Sequence, residues 1–186
     1  MKLPVLVSIL CLGLGMNLAS AGNHDPQAII PLLKDAKMTL LEGIVYAENL
    51  SGPATSAKFE VGDQNQLILS IYTVPEGLGV EPERATLSEV GGVVTETPFK
   101  PEIEVFSDKE HLARASVHMT LFQLSKLTLK QVIESALRVK CGTPIDVRNP
   151  MVRNRRPVAD VIIVDEDNRD FTVSVDLLSG KAKLQY

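Results

Sequence analysis

The chain has 186 residues, with 19 lysines and arginines against 23 aspartates and glutamates, for a net charge of −4. An acidic chain is a poor general binder of nucleic acid, which is held chiefly through its phosphates. Aromatic residues make up 4%, with no tryptophan, too few for the stacking platforms of single-strand or carbohydrate recognition. The 45% hydrophobic content is that of an ordinary folded protein.

The N-terminus has the pattern of a secretory leader. Lys2 supplies the positive start, residues 3–16 are uncharged and apolar, and Ala19-Ser20-Ala21 gives a small-x-small cleavage site. The apolar run is shorter than the roughly 20 residues that span a bilayer. Residues 1–21 are therefore expected to be removed, leaving no stable membrane span. Cys11 follows Leu10 rather than a small residue, which argues against lipid attachment there. Cys141 is then the last cysteine, and a disulfide framework is excluded.

A short helix is expected over residues 27–37. Thr39-Leu40-Leu41-Glu42 is a capping-box pattern. Leu40, Gly43, Ile44 and Ala47 form one apolar stripe, and Gly52 closes the helix. Alternation through Phe59 and Val61, then Leu67, Leu69 and Ile71, predicts a hairpin about the turn 62–65. Gly91, Gly92, Pro98 and Pro101 mark a loop-rich stretch. Residues 103–106 read as a strand. Alternation through Ala113, Ala115, Val117, Met119 and Leu121 predicts a second strand, hinged at 107–110.

The same order then recurs. Thr128-Leu129-Lys130-Gln131 is a second capping box, followed by the stripe Leu129, Val132, Ile133, Ala136 and Leu137, with Gly142 placed to end the helix. Val161 and Ile163, then Phe171, Val173 and Val175, predict a hairpin about the turn 165–168. The chain thus carries a degenerate internal repeat. The expected fold is α+β, with two tandem helix-plus-antiparallel-sheet units packed together. The expected divisions are a leader at 1–21, a first unit at 22–100, connecting strands at 101–124 and a second unit at 125–186.

The second unit resembles a PepSY domain. The features that carry the resemblance are the capped helix 128–140, the strands 158–164 and 170–175, and the closing segment Asp176-Leu177-Leu178-Ser179-Gly180-Lys181. In that segment Asp176, Ser179 and Gly180 match the family's Asp-x-x-Thr/Ser-Gly pattern, a chain reversal built from turn-forming residues. The first unit is similar but weaker, with residues 87–91 where the closing segment would stand. The resemblance implies a binding role outside the cytoplasm. Such domains occur in the propeptides of thermolysin-like metallopeptidases, where they restrain the enzyme, and in bacterial envelope proteins. It implies no catalytic residue and no cofactor. With the leader, it points to a periplasmic or secreted protein that binds a protein or peptide, including a peptidase, without catalysis. The alternatives are a small-ligand or metal-binding envelope protein and a structural accessory subunit.

The individual residues offer little chemistry. His24, His111 and His118 form no metal-ligand motif, and His111 and His118 would face opposite sides of an extended strand. Cys141 lies at a helix C-terminus, a place that does not activate a thiol, so a buried structural cysteine is expected. Asp165, Asp167 and Asp176 mimic calcium-loop spacing, but Arg169 and Asp170 occupy positions that a calcium loop needs otherwise. Charge is uneven. Residues 57–110 hold 11 acids and 4 bases, whereas residues 138–156 hold Arg138, Lys140, Arg148, Arg153, Arg155 and Arg156 against Asp146 alone. The basic stretch reads as a solvated loop or as a contact for an anionic partner. Arg153, Arg155 and Arg156, between Pro150 and Pro157, are its expected tip.

Overall fold

The computed structural model describes residues 25–81, 84–148 and 150–185. The leader, Cys11 and His24 lie outside them. A single turn of helix, α1 (Pro26–Ile29), runs into a 3-10 helix at Ile30–Asp35, and then α2 spans Leu40–Ser51. Strands β1 (Ala54–Val61), β2 (Leu67–Thr73), β3 (Leu87–Val93) and β4 (Glu102–Phe106) follow. Helices α3 (Lys109–Leu124) and α4 (Leu129–Leu137) precede β5 (Thr143–Val147), β6 (Met151–Arg153), β7 (Arg156–Val164), β8 (Asp170–Asp176) and β9 (Ala182–Leu184).

Among the described residues all nine strands belong to one antiparallel sheet in the order β4-β3-β2-β1-β5-β7-β8-β9, with β6 also paired to β7. The fold is α+β. Each unit is a helix laid on its own strands: α2 on β1 and β2, α4 on β7 and β8. Both capping boxes form as the sequence predicts. Thr39 caps Glu42 and Thr128 caps Gln131, with each partner side chain accepting in return from the cap backbone. The apolar stripes are buried against the sheet residues that the period-2 pattern selects. Leu40, Ile44, Ala57, Phe59, Leu69, Ile71, Leu129, Ile133, Val161, Val173 and Val175 share one core. Gly43 lets α2 lie close, since a Cβ there would stand 2.3 Å from a Leu69 methyl.

The two units meet along a narrow seam. β1 and β5 pair only through Ala57 opposite Val147 and Lys58 opposite Asp146. Each strand carries a register shift beside the seam, between Ala54 and Ser56 in β1 and between Pro144 and Asp146 in β5. Such bulges bend a strand and re-aim its side chains.

The expected second strand at 113–121 is instead the helix α3. Asp108 is its N-cap, accepting from the backbone of Glu110 and His111. Its buried residues Ala115, Met119 and Phe122 follow helical spacing. The apparent alternation began on two alanines, which are poor strand formers. The connecting segment is therefore one strand and one helix. His111 and His118 consequently lie on one helix face rather than on opposite sides of a strand. α3 packs on β1 and β3. Its Arg114 faces Ser56, Lys58 and Tyr72, the residues that alternate with the core-facing ones, so α3 covers the sheet face opposite α2 and α4.

α4 ends at Leu137, earlier than the sequence suggests. Gly142 then turns the chain into β5 at φ +151°, with a prospective Cβ only 2.3 Å from the Val164 carbonyl oxygen. Gly142→Ala is expected to lower stability by about 1–3 kcal/mol through backbone strain alone, with the overlap adding to this. A chemical denaturation midpoint equal to that of the parent would disprove this account of the turn.

Candidate functional site

The outer sheet face carries the candidate site. The bulges place Ser56 and Asp146 on this face beside the seam, and cross-strand pairing sets Tyr72 opposite Ser56 and Lys58 opposite Asp146. A groove of about 640 Å³ opens there, lined by Ser56, Lys58, Tyr72, Arg114, Asp146, Arg148 and Met151. α3 forms one wall and the β6–β7 hairpin the other. At Met151 the groove continues into an apolar trough of about 470 Å³ lined by Val117, Leu121, Pro150 and Val152. Val117 and Val152 are 54% and 63% exposed, so the trough is open to solvent.

The groove is only partly neutralised by its own groups. Lys58 Nζ lies 2.8 Å from Glu60 Oε2. Arg148 reaches Asp146 through Nε at 3.4 Å. Arg114 forms no ion pair with any described residue. Ser56 is 5% exposed, and its hydroxyl has no hydrogen-bond partner among the described residues. An orphaned buried hydroxyl costs about 1–3 kcal/mol. Burial pushes the Asp146 carboxyl up to about 6, against the opposing pull of Arg148 and Lys58. Burial also pushes the Tyr72 phenol up, helped by Glu89.

Tyr72 extends the site into a ring stack. Its ring centroid is 6.0 Å from that of Phe106, which lies 3.9 Å from the His111 ring in near-parallel contact. His111 Nδ1 is 2.6 Å from Asp108 Oδ2, tying the stack to the start of α3. His118 is buried one face-repeat further on, and burial together with the Arg114 charge pushes it down to about 4, so it is neutral. Among the described residues no three His, Cys, Asp or Glu side chains converge as a metal site.

The arginines singled out in the sequence do form a hairpin tip, with Asn154 and Arg155 in the left-handed region at φ +51° and +63°. Two of the three turn back onto the sheet rather than protruding. Arg153 grips Asp160 with both terminal nitrogens, at 3.1 and 2.7 Å, and also donates to Ser174 Oγ. Burial acts to raise the Asp160 carboxyl, but the hydrogen bonds from Arg153 and Ser174 outweigh it and hold it below the usual range. Arg156 donates to Asp176 and holds that carboxyl well below the usual range. Arg155 alone has no ion pair among the described residues.

The closing segment is a structural turn. Asp176 Oδ1 accepts from the backbone of Leu178 and Ser179 and from the Ser179 hydroxyl, while Gly180 adopts φ +69° and leads into β9. In the turn 165–168, Asp165 accepts from Lys140, Arg169 and two backbone amides, so its oxygens are already committed. Cys141 is exposed rather than buried. Because α4 stops at Leu137, Cys141 falls in the loop beyond the helix and outside its apolar stripe.

Sequence reasoning missed the groove, above all Arg114, because it read α3 as a strand. The Asp108 cap was the signal that could have found it.

No family model matches this sequence, and no curated protein matches it. Among solved structures, the chain is similar to a candidate lipoprotein from Clostridium difficile, with 16% identity, a TM-score of 0.41 and coverage of 83% of this chain and 96% of that one. A likeness at that level carries nothing about function. Among the described residues no helix is long and apolar enough to cross a membrane.

Two outcomes are expected from these ion pairs. Arg153→Ser leaves a nearly buried Asp160 without its fork, so stability should fall by about 1.5–3 kcal/mol, in contrast to an ordinary exposed change of about 0.5 kcal/mol. A thermal melt within a degree of the parent would refute the clasp. The second concerns Asp146. Its folded carboxyl binds a proton up to about pH 6, whereas an unfolded aspartate releases it near pH 4. The folded state therefore binds more protons in that window, and this group's contribution to stability falls as pH rises from about 4 through 6. Asp146→Asn should gain stability relative to the parent across the same window. Parallel stability–pH curves for the two proteins would show that Asp146 is not desolvated.

Proposed function

We propose that the chain is a non-catalytic binding protein of the bacterial envelope, of the PepSY kind, whose outer-face groove takes an extended segment of a polypeptide partner. The observation that carries this reading is the continuity, at Met151, of a charged groove with an open apolar trough. Contiguous exposed apolar surface rimmed by polar groups is the form of a protein-interaction site. A concave track of this kind suits a chain whose side chains are held at regular intervals. The leader pattern supports an envelope location, and the closing turn at Asp176, Ser179 and Gly180 supports the PepSY reading. A thermolysin-type peptidase is the first full-length partner to try.

The test is affinity selection from a randomised pool of N-acetylated, C-amidated hexapeptides. The parent protein should retain peptides well above an unrelated control protein of similar charge. The double variant Val117→Glu, Val152→Glu should retain few, with an unchanged thermal melt because both positions are exposed. Retention by the parent no higher than by the control would overturn the reading.

A further inference from the structure

We infer that the polar half of the groove anchors an acidic side chain of the bound segment, between the Arg114 guanidinium and the Ser56 hydroxyl. This rests on the peptide-binding reading above and names the chemistry of its ligand.

Three observations carry it. The first is the charge that lines the groove: Lys58, Arg114 and Arg148 stand against Asp146 alone, on a chain whose net charge is −4. Of the other acids on this face, Glu60 is engaged by Lys58 at 2.8 Å and Glu89 by the Ser70 hydroxyl at 2.5 Å, while Glu102 and Glu104 stand on the border strand β4, outside the groove lining. The second is Arg114 itself, which forms no ion pair with any described residue. A guanidinium is a planar fork of donors matched to a carboxylate. The third is Ser56, nearly fully buried on the groove wall with its hydroxyl unpartnered among the described residues. The bulge in β1 puts it there, opposite Tyr72. A buried hydroxyl that lacks an acceptor gains one when a ligand oxygen arrives. The apolar trough beyond Met151 then receives a neighbouring apolar side chain, so the preferred segment is acidic and apolar by turns.

The experiment uses three hexapeptide pools, capped at both ends, with one inner position fixed as Glu, Gln or Lys and the rest randomised. The parent is expected to retain the Glu pool about tenfold over the Gln pool, equivalent to about 1.4 kcal/mol, and the Lys pool least. In Arg114→Gln the preference for Glu over Gln should collapse to near one. Ser56→Ala should reduce the preference more modestly, and 0.5 M salt should weaken it. Equal retention of all three pools by the parent would overturn the acidic anchor and leave the peptide-binding reading standing. Retention of no pool would remove that reading itself. A Glu preference that survives Arg114→Gln would place the anchor elsewhere and refute this site. Displacement of the Glu pool by an equal concentration of free N-acetylglutamate would assign the groove to small carboxylates rather than to peptides.

Discussion

The architecture depends on the seam between β1 and β5. Among the described residues two cross-strand pairs, Ala57 with Val147 and Lys58 with Asp146, join the sheets of the two units. So short a ladder could not hold two domains by its hydrogen bonds. The inner face closes the joint, because α2 and α4 touch each other and both reach across to strands of the neighbouring unit. One apolar core therefore runs beneath both units. The outer face has no matching pair of helices. α3 covers only part of it, and the uncovered strip over the seam is the groove. The same joint that fuses the units thus leaves a polar cleft above it.

The site is polar because of alternation. Every apolar residue that β1 and β5 send inward is flanked by one that points outward, and Ser56, Lys58 and Asp146 are those neighbours. Bulges on both strands tilt them toward the cleft. The hairpin wall is set in place by ionic clasps, Arg153 on Asp160 and Ser174, and Arg156 on Asp176. A wall already fixed in place loses little freedom when a ligand arrives, and pre-organisation of this kind favours binding.

Much of the frame was legible in the residues. Capping boxes at Thr39 and Thr128 marked two helices, and alternation with polar turns marked four of the long strands. These signals are local, so one sequence carries them fully. α3 was misread because Ala113, Ala115, Val117, Met119 and Leu121 fit a period of two as well as a helix that buries only part of its surface. The arginine tip was located correctly, but its ionic partners Asp160 and Asp176 come from strands whose register no local pattern reveals. The groove was invisible for the same reason. Arg114, Ser56 and Asp146 belong to three distant segments, and only the seam brings them together.

The two outer strands of the sheet carry opposite guards. β4 is exposed along nearly its whole length, showing Glu102 and Glu104 on one face and Ile103 and Val105 on the other. The other border, β9, is short and carries Lys183, just after Lys181. Two copies meeting β4 to β4 would set glutamate against glutamate, so the acidic border resists joining itself. That repulsion acts through solvent and fades over a few ångströms in concentrated salt, while the adhesion of Ile103 and Val105 does not. Colloidal behaviour is thus tied to ionic strength: the sheet border that keeps molecules apart in dilute buffer becomes an adhesive surface in brine.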